Sequence, residues 1–158
     1  MVPIIAYNYG ARKPARIMQT IKLAIAYAVG IMVVAVEVFQ IFPVQLLGVF
    51  QASEEMLAIG VPALRTLSLC FLVGGFTIVA SSVFQALGKG LLSMSISIFR
   101  QLVLVLPLAY LFSLTGELNL VWWSFPLAEV LAGALAAFYL RRAYRRVIRP
   151  LTQEDYRF

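Results

Sequence analysis

The sequence contains no histidine and a single cysteine, Cys70. The first absence removes the side chain most often used as a general base near neutral pH, which is also a frequent transition-metal ligand. The second excludes an intrachain disulfide, a zinc-thiolate cluster and dithiol redox chemistry. No paired aspartate motif and no serine in a nucleophile setting takes their place, so no catalytic residue, metal ligand or cofactor is assigned and an enzyme is not expected. Charge is scarce too, with Asp, Glu, Lys and Arg making up 13% of the residues. Apolar residues fill the space: they account for 62% of the chain, against roughly 45–50% in soluble domains. Mean hydropathy is +0.91. A chain of 158 residues has too little interior to hide that much apolar surface, and a bilayer must take the excess.

Four apolar segments satisfy the length a membrane requires, giving an all-α integral membrane fold in one transmembrane region over 1–158. The first spans about 17–42 and stops at Pro43; at 1.5 Å per residue it measures roughly 39 Å, enough to cross a core of about 30 Å with tilt. The second covers about 57–87, with Pro62 near its start and Gly74-Gly75 in its middle, where adjacent glycines permit close packing or a bend. Ser53, Glu54 and Glu55 supply its cap and acidic first turn. The third covers about 91–114 and contains Pro107, which predicts a kink. The fourth covers about 120–140, opening with Trp122 and Trp123 and closing near Tyr139, aromatics suited to the two interfacial belts.

Orientation follows from the basic residues. Arg12, Lys13, Arg16 and Lys22 precede or open the first span, Lys89 lies between the second and third, and Arg141, Arg142, Arg145, Arg146 and Arg149 follow the fourth. The connections near Glu54 and Glu117 contain no Lys or Arg. The positive-inside rule therefore expects an inner cell membrane protein with both termini cytoplasmic. The tail at about 141–158 suits a helix extension lying at an anionic membrane face, and the net charge of +6 is a topology signal rather than a nucleic-acid footprint. Membrane lipids are the expected surroundings, and nucleic acid is not an expected partner.

Glu37, Arg65, Arg100 and Glu129 fall within spans, where each charge costs about 2.5–3.5 kcal/mol at a helix centre unless paired or hydrated. The rise per residue puts Arg100 and Glu129 each roughly 14 Å from opposite faces, hence at one level. Glu37 and Arg65 lie roughly 8 and 12 Å from the outer face and form a second candidate pair. Each pair reads either as a structural bridge or as a site in a hydrated cavity. Thr77, Ser81 and Gln85 form an i, i+4, i+8 row on the second span, and Ser93, Ser97 and Arg100 a comparable row on the third. Such rows point away from lipid, toward packed helices or toward a cavity.

The stretch PIIAYNYGARKPAR ahead of the first span resembles the connection after the eighth helix of the multidrug and toxic compound extrusion family. Pro3, Asn8, Gly10, Ala11 and Arg16 carry the likeness, and the stretch is expected as a loop. VFQASEE, VPALRTLSL, QALGKG, FRQLVLVLPLAYLF and WWSFPLAEVLAG follow in the order and spacing of that family's last four helices. The resemblance implies part of a six-helix carboxy-terminal lobe of a cation-coupled antiporter, driven by proton or sodium. Such a protein exports drugs or metabolites by alternating access between two lobes, with a small organic cation as the expected substrate. It also implies that the amino-terminal helices of the same transporter are partners missing from this stretch, which resembles about the last third of the family's length. The family's coupling acids lie in the first helix or in the second lobe, including its tenth helix. The corresponding second span here has no Asp or Glu between Glu55 and Glu117. The resemblance then implies a coupling site outside this stretch, with Glu37 or Glu129 as the substitutes.

Two other readings remain at this level. A lipid-linked oligosaccharide flippase of the same superfamily would share the helix pattern but need a strongly cationic cavity. A non-transporting membrane scaffold subunit would need only the small-residue packing faces.

Overall fold

The computed structural model describes residues 1–151, and every regular element among them is helical. Three helices are long and apolar enough to cross a membrane, or four if one bent pair counts as a single span. α1 (Val2–Gly10) and α2 (Pro14–Ile41) open the chain, each with proline in its first turn, where no amide partner is lost. Pro3, Asn8 and Gly10 are thus helical rather than looped, and Arg16 sits in the first turn of α2. The reason is burial: Ile5 and Asn8, one turn apart and both buried, give the segment an inward face. Arg12, at φ 53°, closes the turn between the two helices, and the Lys13 amide reaches back to the Asn8 carbonyl at 2.9 Å.

A short α3 (Pro43–Gly48) leads to α4 (Glu54–Ser68), whose cap forms as the sequence requires: Ser53 Oγ accepts from the Met56 amide at 3.3 Å. α4 and α5 (Cys70–Ala86) together cover the segment expected as the second span and meet at a bend of 45°. The bend lies at Leu69, between Pro62 and the glycine pair. There Leu69 donates to Thr66 and Leu72 to Leu69, tighter bonds that interrupt the α-helical ladder. Gly74-Gly75 serves packing instead: a Cβ on Gly75 would lie 3.2 Å from the Ala28 carbonyl oxygen of α2. The QALGKG turn follows, with the Lys89 amide bonded to the Phe84 carbonyl at 2.7 Å and Gly88 at φ +73°, a helix stop that favours glycine.

The third span is continuous from Gly90 to Ser113: α6 (Gly90–Ile98), a π-helical stretch (Phe99–Val105) and α7 (Leu106–Ser113). Pro107 does not break it. The wider π turn, closed by the Leu106 amide on the Gln101 carbonyl, relieves the clash a proline ring makes with the preceding turn. The fourth span joins α8 (Leu118–Trp122), α9 (Ser124–Ala143) and a second π-helical stretch (Tyr144–Ile148). Helix therefore runs past 140 to Ile148, because Ala143 and Ile148 are buried and hold the extension against the bundle. The rest of the expected tail, 152–158, lies outside the described residues.

α5 is the hub, packed on α1, α2, α6 and α9. Val79, Ala80, Val83 and Phe84 meet Ile5, Ile17, Ile21, Ala136 and Ile148 in one core, gathered where α2 begins and α5 and α9 end. Farther along, Ala128, Ala132 and Ala136 give α9 a fully buried stripe at four-residue spacing, and Gly133 admits Val73 of α5 so closely that a Cβ would overlap it. Away from these contacts the helices present Tyr27, Ile31, Leu111 and Val130 outward, as lipid or further helices demand.

Candidate functional site: a polar cleft and a buried ion pair

On α5, Thr77, Ser81 and Gln85 follow one face because four residues advance a helix by a little more than a turn. That face meets Ser93 and Ser97 of α6 and Arg100 of the π stretch across a cleft of about 230 Å³. Ser82 joins them, and Ile78 and Ile96 are its apolar walls. Gln85 Nε2 donates to Ser93 Oγ at 3.3 Å, tying the two helices at one end. Three hydroxyls donate to their own helices, Thr77 to Val73 at 3.1 Å, Ser82 to Ile78 at 2.9 Å and Ser97 to Ser93 at 3.1 Å. Their protons being used, they offer oxygen lone pairs to the cleft. Ser81 makes no hydrogen bond among the described residues and retains both functions.

At the other end Arg100 Nη1 lies 2.8 Å from Glu129 Oε2 of α9. The side chains are 36% and 8% exposed, so the carboxylate is enclosed while the guanidinium reaches the cleft. Glu129 Oε1 is buried and has no hydrogen-bond partner. Gly74 of α5 approaches it, and the Cβ that glycine lacks would stand 3.9 Å away. The cleft thus combines acceptor oxygens with one cation already neutralised by its partner, and behind that cation lies an enclosed carboxylate oxygen with unused capacity. Of the residues singled out in the sequence, Thr77, Ser81, Gln85, Ser97, Arg100 and Glu129 are brought into this arrangement.

Glu37 and Arg65 are not paired. Both side chains are exposed, and no ion pair joins them among the described residues. Equal depth fixes height but not rotation about the helix axis: it is Gln40, three residues beyond Glu37, that faces α4. Gln40 Nε2 donates to the Arg65 carbonyl at 2.8 Å and to Ser68 Oγ at 3.0 Å. Pro3, Gly10 and Arg16 are exposed near the chain start, away from the cleft, while Asn8 is buried and donates from Nδ2 to the Ile4 carbonyl at 2.8 Å. Sequence reasoning passed over Ser82 and Gln40. Ser82 had a signal, its place beside Ser81; Gln40 had only its polarity in an apolar span. Among the described residues no group of His, Cys, Asp or Glu could hold a metal.

The comparisons with known proteins bear on the family and the fold. The MatE family model matches residues 1–111. The multidrug export protein MepA of Staphylococcus haemolyticus is 28% identical over 142 residues, covering 87% of this chain and 30% of its own length. An inward-facing multidrug resistance MATE family transporter of the MOP superfamily is 25% identical and superposes with a TM-score of 0.85, over 96% of this chain and 35% of that one. An outward-facing conformation is 26% identical and gives 0.84 over 96% and 34%. The MATE multidrug transporter DinF-BH, solved as a complex, is 33% identical with a TM-score of 0.83 over 94% and 33%. The chain spans about a third of the length of the relatives it matches. With the family model covering most of its length and the helical fold shared throughout, this chain belongs to the MatE family.

Proposed function

We propose that this chain supplies the carboxy-terminal helices of a cation-coupled exporter of small organic cations that works by alternating access, both termini being cytoplasmic. The polar cleft between α5 and α6 carries the reading. Its hydroxyl and amide oxygens can accept hydrogen bonds from a substrate ammonium, and Ile78 and Ile96 can cover apolar parts of the same molecule. Transporter sites are commonly built near the midplane from interrupted helices, and here the π stretch at Phe99–Val105 contributes Arg100 to the cleft, while the span that supplies its α5 wall is bent at Leu69. The nearly equal fits to inward-facing and outward-facing relatives, 0.85 and 0.84, support a unit that keeps its internal shape while access changes around it.

Proton or sodium is the proposed coupling ion. Of the two acidic substitutes, Glu129 suits that work better than Glu37, because its Oε1 is enclosed and unpartnered and can take up a proton or a cation. A flippase for pyrophosphate-linked sugars would want several unneutralised cations in the cavity. The cleft has Arg100 alone, already matched by Glu129.

The test is export of a fluorescent organic cation from a pump-deficient strain expressing the transporter that carries this sequence. Ser81→Trp should fill much of the cleft and abolish export while membrane abundance stays the same. Export undiminished by Ser81→Trp would remove the cleft from the substrate path.

A further inference from the structure

At the far end of α9 the arginines are not spread evenly around the helix. Arg142 and Arg146, one turn apart, stand between two clefts. One, of about 390 Å³, is lined by Arg141, Arg145 and Phe138 besides these two. The other, of about 220 Å³, sets Lys89 from the α5–α6 turn opposite them, over Leu92, Tyr139 and Ala143. Arg142 and Arg146 therefore serve both clefts, and a cation from a second element closes one of them. No ion pair neutralises any of these cations among the described residues, and all are exposed. The floors, in contrast, are apolar or aromatic.

We propose that these paired clefts bind the headgroup of an anionic phospholipid. Its phosphate would lie between Arg142 and Arg146, and an acyl chain would descend along Phe138 or along Leu92 and Tyr139. Three features select this ligand. The cations cluster where the apolar part of a span ends, which is the depth of lipid phosphates. Arginine forks hold phosphate oxygens in a bidentate manner, and two forks one turn apart can hold one phosphate. An apolar wall beside a basic rim matches an amphiphile, whereas a free phosphate would gain nothing from Phe138 or Leu92. The smaller cleft lies between α9 with its π extension and the α5–α6 turn, so a lipid bound there would pin that turn to α9.

The experiment is native mass spectrometry of the purified protein titrated, in neutral detergent, with dioleoyl phosphatidylglycerol, using dioleoyl phosphatidylcholine and inorganic phosphate as the other arms. Each arginine near an anionic headgroup is worth roughly fivefold in association, so Arg142→Gln with Arg146→Gln should weaken phosphatidylglycerol binding by about 20-fold. Arg149→Gln, which removes a neighbouring arginine that lines neither cleft, should change it by less than about twofold. Phosphatidylcholine should bind far more weakly, and inorganic phosphate should not compete. Equal losses from Arg149→Gln would show a diffuse surface charge and overturn the site. Effective competition by inorganic phosphate would overturn the lipid assignment in favour of a free-phosphate site. Phosphatidylglycerol binding unchanged in the double variant would refute both.

Discussion

Replacing Glu129 by glutamine removes the counter-charge of Arg100 while keeping nearly the same side-chain volume. The 2.8 Å contact joins groups of unequal exposure, 8% for the glutamate and 36% for the arginine, so the loss falls short of that for a fully enclosed pair. Truncating one member of a buried pair costs about 3–5 kcal/mol, and a lone charge at a helix centre about 2.5–3.5 kcal/mol. With water reaching Arg100 through the cleft, about 2–3 kcal/mol is expected for Glu129→Gln and a similar loss for Arg100→Gln. Together the two amides can bond to each other, so the double variant should lose only about 3 kcal/mol. The coupling energy is then about 2 kcal/mol, or roughly 30-fold in the folded-to-unfolded ratio. Denaturant titration in mixed micelles reads it, followed by the fluorescence of Trp122 and Trp123, the two tryptophans of the chain. Single losses that add to within about 0.5 kcal/mol would refute the pairing as an energetic unit.

Two further outcomes follow from packing and topology. Gly75→Ala drives a methyl to 3.0 Å from Met32 Cγ and 3.2 Å from the Ala28 carbonyl oxygen, and should destabilise the α2–α5 contact by about 1–3 kcal/mol; Gly74→Ala, which meets only Glu129 Oε1 at 3.9 Å, should cost much less in the same titration. In a Cys70→Ser background, an impermeant maleimide added to intact cells should label Glu117→Cys but not Lys89→Cys, and the reverse pattern would invert the orientation argued from the basic residues.

The spans were legible because an apolar run of membrane length has few alternatives. Their irregularities were legible only in part. Pro107 marks a disturbed turn, yet a proline can be absorbed by a kink or by a widened helix, and local sequence does not choose between them. The break at Leu69 carries no glycine or proline of its own; beside it Gln40 of α2 bonds the Arg65 carbonyl, the acceptor that the Leu69 amide would use in a regular α-helix. Within the candidate site, residues sharing a helix face were readable from spacing alone, as Thr77, Ser81 and Gln85 are. Arg100 and Glu129 were readable from depth. Depth failed for Glu37 and Arg65, since the rotation of one helix against another is set by packing that no single segment encodes. The pairing of Lys89 with Arg142 and Arg146 across two elements escaped notice for the same reason.

The π-helical stretch between α6 and α7 has a consequence for chain length. A turn that holds more residues than an α turn stores a spare residue, and a helix advances about 100° per residue. Deleting one position between Gln101 and Val105 would let the span re-form with ordinary spacing while the segment carrying Arg100 kept nearly its phase relative to α7, because the wider turn already takes up the rotation of about 100° that the extra residue would add. The span would remain as hydrophobic and nearly as long, and a hydropathy plot would scarcely change. Its arginine would still face Glu129, whereas a deletion within the regular turns of α7 would swing every residue beyond it by about 100°, so the π stretch is where this span can lose a residue and keep its phase.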